Sequence, residues 1–209
     1  MGRVSYGDAL DLQEELVVQR REGTIPDQLL LLEHPHVITL GSSSDADHIL
    51  APPEERERLG IQLFEAGRGG DVTYHGPGQL VGYPILALSP DRKDLHQYLR
   101  DLEEVLLRTS AHFGIGAHRE EGFTGVWALQ GKLAAIGVRV SSGWITSHGF
   151  ALNVDPDLSF FSTIVPCGLH DRPVSSFAQI LGRPVSLEEV VPPLIRSFEE
   201  VFIREGIVV

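Results

Sequence analysis

The chain carries one thiol, Cys167, in the stretch Val165-Pro166-Cys167-Gly168. Proline and glycine on either side impose a bent backbone, not the middle of a strand or helix. Such a cysteine is either a small buried hydrophobe or a nucleophile. Of 17 basic residues only Lys93 and Lys132 are lysine, because this chain writes positive charge as arginine. Lys132 opens the run Lys132-Leu133-Ala134-Ala135-Ile136-Gly137, so an apolar segment begins directly at the charge. It is either a turn lysine with its amine in water or an ammonium meant for a neighbour such as a thiol. A free thiol, with a pKa of about 8.5, is only a few per cent thiolate at neutral pH. An ammonium about 4 Å away, at an effective dielectric near 20, favours the anion by roughly 4 kcal/mol before screening. Even half of that lowers the thiol pKa by more than about one unit. The two residues are far apart in sequence, so only the fold can join them.

A second segment with chemical potential is Arg68-Gly69-Gly70-Asp71-Val72-Thr73-Tyr74-His75-Gly76-Pro77-Gly78-Gln79. Its glycines remove side-chain bulk and let backbone approach a ligand, while Arg68, Tyr74, His75 and Gln79 add polar groups. The alternative is an ordinary surface hairpin loop. It is neither a dinucleotide fingerprint nor a phosphate-binding P-loop, since both glycine patterns are missing. A third segment, Trp144 to Asp155, combines a strand pattern with His148-Gly149-Phe150-Ala151. It supplies either a base and an acyl-group wall or a core strand with a satisfied histidine. His34 and His36 lie two apart across Pro35, but without a third ligand nearby they do not make a metal site.

These residues need a scaffold, and the bulk numbers provide for one. With 209 residues, 42% of them hydrophobic and 22% charged, the chain is expected to fold as one domain over 1–209. No apolar run approaches the roughly 18 residues of a membrane span, and the first residues lack the apolar core of a signal peptide. A cytoplasmic location is the resulting expectation. A net charge of −12 argues against general nucleic-acid binding.

A helical stripe runs from Asp8 to about Arg21, and Asp94 caps a long helix reaching Phe113. Strands are expected at Leu29 to Glu33, Val37 to Leu40, Ile61 to Glu65 and Gln79 to Leu86, with Gly41 to Glu57 as a surface loop. From Val126 the pattern is a meander: Val126 to Leu129, Lys132 to Val140 and Trp144 to Val154, turning at Gln130-Gly131 and Ser142-Gly143. Two capping boxes, Ser176-x-x-Gln179 and Ser186-x-x-Glu189, each open a helix. Strands in runs with helices grouped elsewhere predict an α+β architecture with a mixed, largely antiparallel sheet covered by helices.

Taken together, these segments resemble the lipoyl(octanoyl) transferases of lipoate biosynthesis. Tyr6, Ala9, Leu10 and Gln13 are similar to the family's first helix, and Glu33-His34-Pro35 with Thr39-Leu40-Gly41 to its early strands. Arg68-Gly69-Gly70, Thr73-Tyr74-His75, Gly78-Gln79 and Tyr83-Pro84 resemble its signature. Gly131-Lys132, Ala135-Ile136-Gly137, His148 to Val154 and Pro166-Cys167-Gly168 follow in the expected order. The resemblance implies an α/β domain with a mixed sheet, similar to biotin and lipoate protein ligases. It implies Cys167 as the acyl-thioester nucleophile and Lys132 as its activating partner, with no cofactor and no metal. Arg68, Gly69, Gly70, Asp71, Val72, Thr73, Tyr74 and His75 would line the acyl site with Ala135, Ile136, Gly137, His148, Gly149, Phe150 and Ala151. The donor implied is octanoyl acyl carrier protein. The acceptors implied are the lipoyl domains of 2-oxoacid dehydrogenases and the glycine cleavage H protein, with the enzyme acting as a monomer. Because the carrier is acidic like this chain, docking would rest on a local arginine cluster, for which Arg68, Arg139 and Arg172 are candidates. An ATP-dependent ligase on the same fold and an acyl-binding module with an inert thiol are the competing readings.

Overall fold

A computed structural model describes residues 2–165 and 173–202. The chain begins with helix α1 (Tyr6–Arg21), whose N-cap is Ser5, its hydroxyl accepting from the Asp8 amide. Strands β1 (Gln28–Leu32) and β2 (Val37–Leu40) follow, separated by the expected break at His34-Pro35. The segment from Gly41, expected as a loop, instead contains a 3₁₀ turn at Ala46–His48 and a short helix α2 (Pro53–Arg58). Pro53 opens that helix, a position where a missing N–H costs nothing. Next come β3 (Gln62–Glu65), β4 (Thr73–His75), β5 (Gln79–Ile85) and the long helix α3 (Leu95–His112), capped by Asp94. The second half holds β6 (Ala117–His118), β7 (Val126–Ala128), β8 (Gly131–Ser141) and β9 (Ile145–Asn153). A 3₁₀ stretch at Leu158–Thr163, α4 (Phe177–Leu181) and α5 (Leu187–Phe202) complete it. The Ser186/Glu189 box forms in both directions, whereas at Ser176 only the hydroxyl caps, accepting from the Gln179 amide, while the Gln179 side chain accepts from Ser175; α5 continues through Pro192 and Pro193.

The strands build two sheets. Six pair antiparallel in the order β1-β5-β9-β8-β7-β6, and three form a smaller sheet, β3-β2-β4, in which β2 and β3 run parallel. The α+β expectation holds, with the mixed character confined to the smaller sheet. One face of the large sheet packs on α3 and α5 through Leu102, Leu106, Leu133, Phe150, Leu152, Phe177 and Leu194. Its other face carries α1, with Ala9 against Leu32, Val81, Tyr83 and Ala151. The smaller sheet has its own core of Ile38, Ile61, Val72, Tyr74 and Ile164. At β5 and β9, in the middle of the large sheet, every residue is buried, so groups carried there are held rigidly.

Candidate active site

A cavity of about 340 Å³ opens between β8 and β9 on one side and the glycine-rich segment 68–73 on the other. The sheets make it possible. Backbone bonds from Ser42 and Ser43 to the Arg68 and Gly70 carbonyls hold the glycine-rich segment beside the end of β2, and the Gly69 amide donates to the Val138 carbonyl of β8. A side chain at Gly41 would collide with the Gly70 carbonyl, so this seam needs glycine. The Asp71 carboxylate accepts from His48 and from the Asp45 amide, fastening the segment to the 3₁₀ turn. The His48 carbonyl of that turn accepts from the Val165 amide, and Leu50 and Ala51 just after it donate to the Thr163 carbonyl, in the stretch leading to Pro166.

Lys132 lies at one end of this cavity and is only 7% exposed. Its Nζ sits 4.9 Å from the centroid of the Trp127 ring, over the π face. A register shift between Val126 and Trp127 lets Lys132 share the cavity with Ala135, three residues on, which strict strand alternation forbids. The Lys132 amide donates to the Pro173 carbonyl, and the Lys132 carbonyl accepts from the Ser175 amide. Gly131, at φ 142°, permits this approach, because a Cβ there would collide with the Pro173 carbonyl. The chain that returns from residues 166–172 is therefore bonded to Lys132 itself. Cys167 lies outside the described residues, as does Arg172.

Beneath the cavity runs a chain of buried polar groups whose tautomers follow from their partners. His34 Nδ1–H donates to the Val4 carbonyl at 2.7 Å, so its Nε2 accepts from the Tyr83 hydroxyl at 2.7 Å. Gln79 donates through Nε2 to the Tyr74 carbonyl and to Asn153 Oδ1, leaving its Oε1 to accept from His75 Nδ1–H. Asn153 then donates to the Ser175 carbonyl, joining His75 to the segment bonded to Lys132. Burial holds the His75 imidazole well below its ordinary pKa, assisted by His34 and Arg68 nearby. Burial, with the Arg68 and Arg139 charges, lowers His148 to about 4. His148 sits at φ 56°, an uncommon conformation for a residue with a side chain. Its amide donates to Gln13 Oε1, which explains a buried glutamine on α1. Its Nδ1 is buried with no hydrogen-bond partner among the described residues.

Of the residues predicted for the acyl site, Arg68, Gly69, Gly70, Asp71, Thr73 and His75 border the cavity with Ala135, Ile136, Gly137, His148, Gly149, Phe150 and Ala151. Val72 and Tyr74 alternate to the far side and pack in the core of the smaller sheet, and Tyr74 also bonds His36. Phe150 and Ile136 border the cavity while their side chains join the core under α3 and α5. Arg68 does not belong to a docking surface. It is 7% exposed, and its guanidinium donates to the Thr39 carbonyl and hydroxyl. Arg139 is exposed. The His34 and His36 rings are engaged with Val4, Tyr83 and Tyr74, and no group of three metal-ligating side chains occurs among the described residues. Six lining residues were not foreseen: Tyr6, Ser43, Tyr83, Gly122, Phe123 and Thr124. Tyr6 and Tyr83 stood inside recognisable patterns, whereas 122–124 carry no local signal. They are brought in by Glu103 of α3, which accepts from the Gly125 amide and from Arg100 and Arg119.

Comparison with known proteins identifies the family. A family profile described as the lipoyl protein ligase A/B catalytic domain matches residues 5–199. The octanoyltransferase of Solibacter usitatus is 52% identical over 202 residues, covering 97% of this chain and 90% of that protein. The octanoyltransferase of Rubrobacter xylanophilus is 51% identical over 201 residues, covering 96% of this chain and 90% of its own length. Among solved structures, a lipoate-protein ligase A bound with ATP has a TM-score of 0.75 at 20% identity, covering 99% of this chain and 87% of that one. With nearly every residue from α1 to α5 inside the matched span, the chain belongs to the lipoyl protein ligase A/B catalytic domain family.

Proposed function

We propose that the chain is an octanoyltransferase, a single catalytic domain that moves an octanoyl group from acyl carrier protein to a lysine of a lipoyl domain or of the glycine cleavage H protein. The observation that carries this reading is the buried Lys132 at the end of a cavity floored by Ala135, Gly137, Gly149 and Ala151. An alkyl chain suits that floor, and a thiolate suits that ammonium. The strand from Lys132 to Gly137 spans roughly 17 Å at about 3.3 Å per residue. An extended eight-carbon acyl group, with bonds of about 1.5 Å, needs roughly 9 Å and fits along it.

In this mechanism the Cys167 thiolate attacks the carbonyl carbon of the carrier thioester, and the carrier's sulfur leaves and takes the proton given up by the Lys132 ammonium. One thioester replaces another, so this step is close to balanced. The neutral amine of the acceptor lysine then attacks the same carbon, the carbon–sulfur bond breaks, and Cys167 recovers its thiolate as the amide forms. Lys132, having lost its proton, takes one from the attacking amine and afterwards returns to an ammonium beside the thiolate. Amide formation draws the sequence forward without ATP.

The test mixes the protein with a lipoyl domain and one of two donors. Octanoyl carrier protein alone should octanoylate the domain, and free octanoate with ATP should not. Product from octanoate and ATP alone would assign the chain to the ligases. Lys132→Met should lower transfer from the carrier by at least about 100-fold, the scale of positioned acid–base groups, and unchanged transfer would remove Lys132 from the mechanism.

A further inference from the structure

Trp127 of β7 does not border the cavity, yet it is the cross-strand partner of Lys132, so indole and lysine stem leave the sheet on one face. The Lys132 Nζ lies over its ring, 4.9 Å from the centroid. The indole is 3% exposed, and its Nε1 has no hydrogen-bond partner among the described residues. A buried tryptophan ordinarily turns its N–H toward an acceptor, because leaving that group unpaired costs free energy. Here the ring presents its face instead, and two neighbours brace it. Bare backbone closes on ring and lysine together at Gly125, where a Cβ would come within 3.0 Å of Lys132 Cε and 3.3 Å of Trp127 Cη2. The Gly125 amide is itself bonded to the buried Glu103 carboxylate. Phe123 meets the indole at 61°, with ring centroids 6.4 Å apart.

The face of an aromatic ring is the negative end of its quadrupole, and it attracts an ammonium most where water is excluded. A lysine stem is long and flexible, so an unheld ammonium spreads over many positions. An indole face restrains it without carrying a negative charge of its own to compete with a thiolate. We propose that Trp127 is a positioning residue for acyl transfer: its π face, braced by Gly125 and Phe123, holds the Lys132 ammonium at the end of the cavity, where thiolate and leaving sulfur must meet it. The inference rests on the octanoyltransferase reading and adds to it a residue that acts only through Lys132.

The experiment follows, by intact mass, the rate at which the whole protein takes one octanoyl group from octanoyl carrier protein over a range of donor concentrations. Trp127→Phe keeps a smaller aromatic face, and Trp127→Leu keeps none. At saturating donor, leucine should slow acylation at least about tenfold and phenylalanine less than about threefold. The half-saturating donor concentration should stay within about twofold of wild type for both, since Trp127 lies outside the cavity. Leucine also removes buried area, so a second series changes the charge of the ring face alone. Trp144 is replaced by asparagine, which its φ of 61° suits, leaving Trp127 as the only indole. The protein is then prepared with mono-, di- and trifluorinated tryptophan. Fluorine withdraws electron density from the ring face with little change of shape, and because Nε1 has no partner among the described residues, no hydrogen bond is altered with it. Acylation should slow with each added fluorine, by about fivefold or more across the series. Phenylalanine as slow as leucine, or a rate that stays flat or rises with fluorination, would overturn the assignment. Failure of the wild-type protein to take any acyl group would instead overturn the octanoyltransferase reading on which it rests.

Discussion

At the scale of single residues, the site is built from groups kept in one protonation state by burial. His34, His75 and His148 all have lowered pKa values, with burial the largest cause in each. A histidine neutral in the fold but free to protonate when unfolded makes stability fall as pH drops below its unfolded pKa of about 6.5. For His148 that loss runs from about 6.5 down to its folded value of about 4. Such a histidine contributes a slope of at most about 1.4 kcal/mol per pH unit, reached where its unfolded form is protonated and its folded form neutral. Urea unfolding between pH 6.5 and 5, above most carboxylate titrations, should therefore show stability rising with pH. His148→Asn, which suits the left-handed backbone, should flatten the slope by about one proton. An unchanged slope would mean that the ring is solvated in the fold. Most chemistry-bearing residues were legible from type and neighbours alone. Lys132 stood out in a lysine-poor chain, and the glycine-rich run announced close backbone approach. Which face each residue of 68–75 would present was not legible, because that depends on β4 pairing with β2, where Tyr74 meets Ile38 far upstream.

At the scale of elements, the segments with strong local rules were readable and those set by distant pairing were not. Asp94 and both capping boxes marked their helices because the cap bonds are made within three residues. Helix α2 escaped notice because six residues are too few for a hydrophobic period and none is buried. The passage of the chain from one sheet to another across His34-Pro35 left no trace either, since partner choice is a tertiary matter. Likewise the 119–125 segment is brought to the cavity by tertiary contacts, among them Glu103, whose carboxylate is fully buried in α3. Replacing Glu103 with alanine removes the partner of the buried Gly125 amide and of two guanidinium groups. It should cost roughly 2–4 kcal/mol in urea unfolding and speed hydrogen exchange at Gly125 and its neighbours. A loss below about 0.5 kcal/mol would show that water replaces the carboxylate there without penalty.

At the scale of the whole molecule, two sheets and their helices hold a cavity between them, and Lys132 sits where the returning chain is bonded to it. The protein carries a net charge of −12, so long-range attraction to an acidic partner is absent, and under the proposed function docking would rest on exposed basic groups such as Arg139. The account stands on a covalent step at Cys167. Its most direct measurement is the intact mass of the enzyme after incubation with octanoyl carrier protein and no acceptor. The mass should rise by one octanoyl group, located on Cys167 by fragmentation, and fall back when a lipoyl domain is added. Cys167→Ser should gain nothing. A wild-type enzyme that transfers octanoate while never carrying it on Cys167, or a serine variant that still turns over, would contradict the account.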